Sequence, residues 1–195
     1  MKPSRGRIRA IFVSACMMMT VPVWGQGASA RQNLVDVAVL YTADSSNRIP
    51  GEGFWMQGGT VQLHGQFWHG LGVIADVTGE HSGRIGTSEI GLDLVMATFG
   101  PRYTWQPASR RVALFGQSLI GEANALHGVF PALDGATDSS NGMALKIGGG
   151  FNYRVSSHFG VRVFEGNWIR TQLPNSTSNA QNHLQVSSGI VFRLK

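Results

Sequence analysis

The chain has 195 residues, with 16 Lys and Arg against 11 Asp and Glu and a formal net charge of +5. Lys2, Arg5, Arg7 and Arg9 supply four of those bases and no acid stands in the first thirty residues, so residues 31–195 hold 12 bases and 11 acids, a net of +1. That balance leaves no basic stripe to track phosphates, so no nucleic-acid partner is expected, and the single Cys16 excludes a disulfide framework.

The first thirty residues read as an export signal. A positive segment from Lys2 to Arg9 is followed by an almost wholly apolar run from Ala10 to Trp24, then by the small residues Ala28-Ser29-Ala30. The apolar run is shorter than the roughly 20 residues a helix needs to cross a bilayer. Cleavage is expected after Ala30, with 1–30 as signal peptide and 31–195 as the mature domain. Val13-Ser14-Ala15-Cys16 offers a rival lipoprotein reading. Cleavage there would leave an apolar core of only about six residues, under the usual range, and would strand Met17 to Trp24 on the mature chain. With Cys16 removed, no thiol chemistry remains. No later segment approaches the unbroken apolar length of a spanning helix, whereas a barrel hides its lipid-facing residues by alternation.

Period-two patterning then recurs along the chain. Leu34 to Thr42 sets Val35, Val37, Val39 and Tyr41 against Asp36, Ala38, Leu40 and Thr42. Thr60 to Trp68 sets Val61, Leu63 and Phe67 against Thr60, Gln62, His64 and Gln66. Leu71 to Glu80 sets Leu71, Val73, Ala75 and Val77 against Asp76, Thr78 and Glu80. Ile90, Leu92, Leu94 and Met96 share a face between Glu89 and Trp105, with Asp93 opposite. Val112 to Glu122 is apolar on both faces, and its sides are unassigned. Ala144 to Val155 sets Leu145, Ile147, Phe151, Tyr153 and Val155 against Lys146, Asn152 and Arg154. Gly160 to Arg170 carries Arg162 and Glu165 on opposite parities, so both face inward only across a bulge. His183 to Leu194 sets Leu184, Val186, Ile190, Phe192 and Leu194 against His183, Gln185, Ser187 and Arg193.

Eight strands follow, and their connections alternate in length. Residues 43–59, 81–88, 123–143 and 171–182 are long, polar and glycine-rich. His69-Gly70, Gln106 to Arg111 and Ser156 to His158 are short. That alternation predicts an all-β, eight-stranded antiparallel up-and-down transmembrane β-barrel with both termini in the periplasm. Aromatic residues gather at strand ends. Trp68, Tyr103, Trp105, Tyr153 and Phe192, with Phe67, mark the short-turn side; Tyr41, Phe54, Trp55 and Trp168 mark the other. Two such girdles are what amphipathic rings form at two membrane interfaces. A soluble barrel with the faces reversed is the competing fold, because alternation alone cannot tell inside from outside.

Thr98-Phe99-Gly100-Pro101-Arg102-Tyr103, Lys146 to Arg154, His158 to Val163 and Ser188 to Phe192 together resemble the OmpA-like or porin-family small outer-membrane barrels, in the form common in acidobacterial-type genomes. The resemblance spans the mature chain and implies an eight-stranded barrel in the bacterial outer membrane. Its implied partners are outer-membrane lipids and the barrel assembly machinery. The OmpA branch often adds a peptidoglycan-binding domain; this chain stops at Lys195, so cell-wall tethering does not transfer. Barrels of this type usually end on an aromatic residue, and here Phe192 is followed by Arg193-Leu194-Lys195, so recognition by the assembly machinery is expected to rest on Phe192.

Asp36, His64, Asp76, Glu80, Asp93, Lys146, Arg154 and Arg162 are expected to face the lumen. An eight-stranded barrel has room inside for little but side chains, and charges there must pair or bear a heavy desolvation cost. A closed plug is therefore expected rather than an ion-selective pore. The six histidines show no spacing that suggests a metal site. His81-Ser82 could imitate a hydrolase pair on lipid, but no third group or oxyanion site accompanies it. Gly148-Gly149-Gly150 lies inside a strand and lacks the following helix that a phosphate loop needs. The function expected is a structural or surface-interaction role with no cofactor, a ligand being engaged through the long connections. A small porin and a lipid-modifying enzyme are the alternatives.

Overall fold

In a β-strand successive side chains take opposite faces, so the period-two runs become walls with an inside and an outside. The computed structural model describes residues 34–49, 52–83, 91–106, 111–132, 135–174 and 179–194. The leader 1–30 with Cys16, and also Ile90 and Lys195, lie outside the described residues. The contacts separate a unit Met1–Arg31 from a unit Gln32–Lys195, and the second is the barrel. Its strands are β1 (Leu34–Ile49), β2 (Glu52–Trp68), β3 (Leu71–Ser82), β4 (Leu92–Trp105), β5 (Val112–Leu126), β6 (Phe130–Ala132), β7 (Gly135–Thr137), β8 (Ser140–Arg154), β9 (Phe159–Thr171) and β10 (Gln181–Leu194).

Eight of these close into an antiparallel barrel in the order β1-β10-β9-β8-β5-β4-β3-β2, while β6 and β7 form a separate hairpin between β5 and β8. Closure joins the first strand to the last, from Val35 opposite Leu194 to Ser46 opposite His183. Closing the sheet removes the unpaired edges that an open sheet would present. His69 and Gly70, both at positive φ, make the two-residue turn between β2 and β3.

The outward residues are apolar and the inward ones largely polar. Val39, Val61, Leu63, Val73, Val77, Val95, Phe99, Ile120, Ile147, Val186 and Ile190 are exposed on the outside, whereas Thr42, Thr60, Gln62, Asp76, Thr78, Gln117, Lys146 and Gln185 are buried inside. That is the inverse of a soluble barrel, and it sets aside the reversed arrangement. On β5, where both parities are apolar, Ala113, Phe115, Gln117 and Leu119 turn inward and Leu114 and Ile120 outward. Tyr41, Trp55, Trp68, Tyr103, Trp105, Tyr153, Trp168 and Phe192 are all exposed on the outer surface, but Phe54, expected beside them, is buried inside.

Two expectations are corrected. Residues 43–59, read as a loop, are mostly ladder: Ala43 pairs with Gln57 and Ser46 with Phe54. Strands of 12–17 residues exceed the roughly 9–11 needed to cross the hydrocarbon. They run on past the apolar belt at the long-connection end, where the outer face meets water and needs no apolar residues. Residues 123–143 are likewise mostly strand, holding the end of β5, the β6–β7 hairpin and the start of β8. On β4 the faces are exchanged: Leu92, Leu94 and Met96 are buried in the lumen, and Asp93 stands outside, partly exposed.

The bulge expected in β9 is present. Ser187 pairs with Glu165 but Gly189 pairs with Arg162, and on the other side Phe151 pairs with Phe164 but Asn152 with Arg162. Val163 and Phe164 therefore both face outward, which lets Arg162 and Glu165 both face the lumen. Deleting Val163 removes the extra residue without flipping either partner. That variant is expected to fold and to keep the heat-dependent electrophoretic mobility of a closed barrel. Deleting Ile147 from the regular part of β8 should abolish the shift, because a one-residue slip exchanges the faces of a strand.

Candidate functional site: a lumen filled by a cross-strand polar network

At the short-turn mouth, Asp36 on β1 lies between His64 and Arg193. His64 Nδ1 is 3.4 Å from its carboxylate and Arg193 Nε is 3.6 Å away. Arg154 on β8 is half-buried at this end.

Deeper in, Glu165 is a hub. Its carboxylate accepts hydrogen bonds from Gln62 Nε2 at 3.0 Å, Gln117 Nε2 at 2.9 Å, Asn167 Nδ2 at 2.8 Å and Arg162 Nη1 at 2.6 Å. Arg162 also donates to Asn152 Oδ1 at 2.8 Å and to the Gln62 side-chain oxygen. Arg102 on β4 donates to the side-chain oxygens of Gln62 and Gln117. The Arg102 and Arg162 guanidinium carbons lie 4.2 and 4.6 Å from the Phe115 ring centroid, a cation–π arrangement that suits two desolvated cations.

Above this hub, Lys146 Nζ is 2.9 Å from Asp76 Oδ1. Asp76 also accepts from Gln62 at 2.8 Å and from Thr78 at 3.0 Å, and Thr78 is bonded to Thr60 at 2.7 Å. Higher still, Gln185 on β10 donates to Glu80 at 2.7 Å. The lumen then becomes two-faced. Phe54, Met56, Leu92, Leu94, Met96, Ala123, Ala125, Phe130, Ala144, Ile169 and Leu173 form one apolar cluster. Phe130, on the β6–β7 hairpin, is fully buried in it. The base of that hairpin is held by the Gly128 N–H donating to the Asp138 carbonyl at 3.2 Å.

Asp93 is the one expected lumenal residue that the structure places elsewhere. Its two oxygens face the rim histidines: His81 Nδ1 and His127 Nδ1 lie 2.5 and 2.6 Å from them. The cluster sits on the outer rim, beyond Val77 and Val95, where the apolar belt has ended. There the hydrogen bonds from His81 and then His127 hold the Asp93 carboxyl below the usual carboxylate range. His81 and Ser82 point to opposite faces of β3, one exposed and one buried, so they do not form a pair. The histidines do find carboxylates across strands, which spacing along the chain could not show. Among the described residues, no group of three His, Cys, Asp or Glu side chains could hold a metal ion.

Sequence reasoning overlooked Arg102, Gln117 and Asn167, and it gave Asp44 to a loop. Arg102 could have been found: it shares parity with Thr98 and opposes Tyr103, whose outward facing the girdle required.

No protein family and no curated protein sequence matches the chain. Solved structures do. The chain is similar to Neisserial surface protein A, with 13% identity, a TM-score of 0.61, and 87% of this chain and 100% of that one covered. It is also similar to Ail, the attachment invasion locus protein of Yersinia pestis, solved with the heparin analogue sucrose octasulfate, with 17% identity, a TM-score of 0.56, and 83% of this chain and 99% of that one covered. The fold is that of the small outer-membrane barrels. At these identities the likeness carries the architecture, and the roles of individual lumen residues rest on their own geometry.

Proposed function

We propose that this protein is a closed barrel of the bacterial outer membrane, delivered by a cleaved signal peptide. Its role in this reading is to brace the membrane and to present a binding surface at its long-connection end. The observation that carries the reading is the polar network. Side chains from β2, β4, β5 and β9 bond across the bore through Gln62, Arg102, Gln117 and Glu165, and the lumen of an eight-stranded barrel leaves little other space. A network so connected favours a rigid plug over a conduit. In the same reading the termini lie in the periplasm, the outer-membrane lipids pack on the apolar belt, and the assembly machinery reads the end of β10 at Phe192.

A surface ligand would be met at the long-connection end, along the segments 43–59, 81–88, 123–143 and 171–182, much of which is strand that continues beyond the belt. Attachment, which the name of Ail states for that protein, is the kind of role such a platform suits. The reading needs no catalytic residue and no cofactor.

The test is fractionation followed by reconstitution. The protein is expected in the outer-membrane fraction as a band whose mobility changes on boiling, and planar bilayers containing it should show no recurrent current steps. Steps of reproducible size that scale with salt would replace the plug with a small porin.

A further inference from the structure

Among the described residues, 11 buried side-chain polar atoms lack a hydrogen-bond partner, and they fall into two groups. Four belong to Asp36, His64, Arg154 and Arg193 at the short-turn mouth. The other seven belong to Thr42, Asp44, Ser46, Glu80, His183 and Ser187, all on one patch of the inner wall. Register explains the patch. Thr42, Asp44 and Ser46 alternate along β1, and Ser187, Gln185 and His183 stand opposite them on β10. Glu80 joins from β3, two strands away, because Gly58 on the intervening β2 has no side chain; it is the partner of both Thr42 and Glu80. A Cβ at Gly58 would run into the Gly79 carbonyl oxygen and the Glu80 Cα. The Glu80 carboxylate thus reaches Gln185 at 2.7 Å and comes within hydrogen-bonding reach of Asp44.

The charges on this patch do not balance. Elsewhere in the lumen each carboxylate has a fixed cation: Asp76 has Lys146, Glu165 has Arg162 and Asp36 has Arg193. Among the described residues, neither Asp44 nor Glu80 has a Lys or Arg in an ion pair. Lys146 faces the patch but is bonded to Asp76 and Thr78. His183 Nδ1 lies 3.4 Å from Asp44, and its Nε2 is 3.3 Å from Thr171 Oγ1. Asp44 is fully buried with both oxygens unpartnered. Two desolvated carboxylates held together without a cation are strongly unfavourable.

We propose that Asp44 and Glu80 hold a small hard cation of the calcium or magnesium class in the upper lumen. Six of the seven unpartnered atoms are oxygens, the donor type these ions take, and carboxylates mixed with neutral oxygens and water are their usual company. A nitrogen- and sulfur-liganded transition-metal site is not what this wall offers, since His183 Nδ1 is the one nitrogen among its seven unpartnered atoms. A cation there ties β1 to β3 across β2.

The experiment uses the full barrel, stripped of divalent ions with EDTA in detergent free of lipopolysaccharide. Calcium or magnesium chloride is titrated against choline chloride at matched ionic strength, and the midpoint of the heat-mobility transition is read. The midpoint should rise with the divalent ion and saturate, as binding to the folded state requires. Asp44→Asn and Glu80→Gln should lose that rise, while Glu122→Gln, at an exposed acid on the outer wall of β5, should keep it. Equilibrium dialysis of calcium on the unmodified barrel decides the matter should the lumen variants not fold, and stoichiometric uptake is expected. A midpoint that follows pH but ignores both cations, with no calcium retained, would mean that Asp44 and Glu80 share a proton instead, and the proposal fails. An equal rise in all variants would place the ions on the surface and overturn it too.

Discussion

Glu165→Leu should be the most damaging single change in the lumen, lowering stability by about 3–5 kcal/mol, the range for breaking a buried ion pair from one side. The carboxylate it removes takes four hydrogen bonds, from Gln62, Gln117, Asn167 and Arg162. Leucine leaves the Arg162 guanidinium, 1% exposed, with Asn152, Gln62 and the Phe115 face but no anion. Arg102 shares that ring and donates to Gln62 and Gln117. Two cations then share the Phe115 ring and the Gln62 side-chain oxygen with no anion between them. Unfolding by guanidinium from lipid vesicles, followed by tryptophan fluorescence and by heat-dependent mobility, measures the loss. The double variant Glu165→Leu with Arg162→Met should recover part of it, because an ion pair can often be replaced by well-packed apolar side chains. Recovery should stop short of the parent, since Arg102 keeps its charge. If Glu165→Leu costs no more than a typical surface substitution, the hub does not hold the bore, and the closed-plug reading loses its main support.

The same residues show what could be read in the sequence and what could not. Alternation reports parity, and parity was enough to place Asp76, Lys146 and His64 on one wall each. It does not report which parity is inside. That sign comes from the solvent of the outer face, and the outer face is lipid only along the belt. Below Val77 and Val95 the outward residues had to be apolar, so the strands were legible. Above them the outside meets water, both parities are free to vary, and the reading failed in two ways. At 43–46 the polar residues of a continuing ladder passed for a loop, which hid Asp44. On β4 the apolar Leu92, Leu94 and Met96 passed for lipid contacts, although they pack with Phe54, Met56 and Phe130 inside. Asp93 was then assigned to the lumen by the wrong sign. The bulge at Val163 and Phe164 was legible for the opposite reason: two charges, Arg162 and Glu165, sat where lipid would not accept either.

The orientation itself can be tested by depth. Val61 stands mid-strand on β2, between Val39 on β1 and Val77 on β3 in the register, and Val77 in turn faces Ala97 on β4. These side chains form an apolar row across four strands, and on β2 Val61 stands six residues from both Trp55 and Phe67. Val61→Arg should destabilise the barrel in lipid vesicles by about 2–4 kcal/mol, the cost of a cation near the bilayer midplane, whereas Asn124→Arg, on the outer face of β5 opposite Val95 at the edge of the belt, should cost about 0–1 kcal/mol. Both sites are exposed and neither substitution touches the lumen network, so packing contributes little to the difference. In short-chain detergent the gap should narrow, because a micelle deforms around a charge more readily than a bilayer does. Equal costs in vesicles would mean that depth does not matter, and the outer face would then not be a lipid surface. A gap that appears only in lipid ties the outward valines to the membrane and leaves the polar wall no place but the bore.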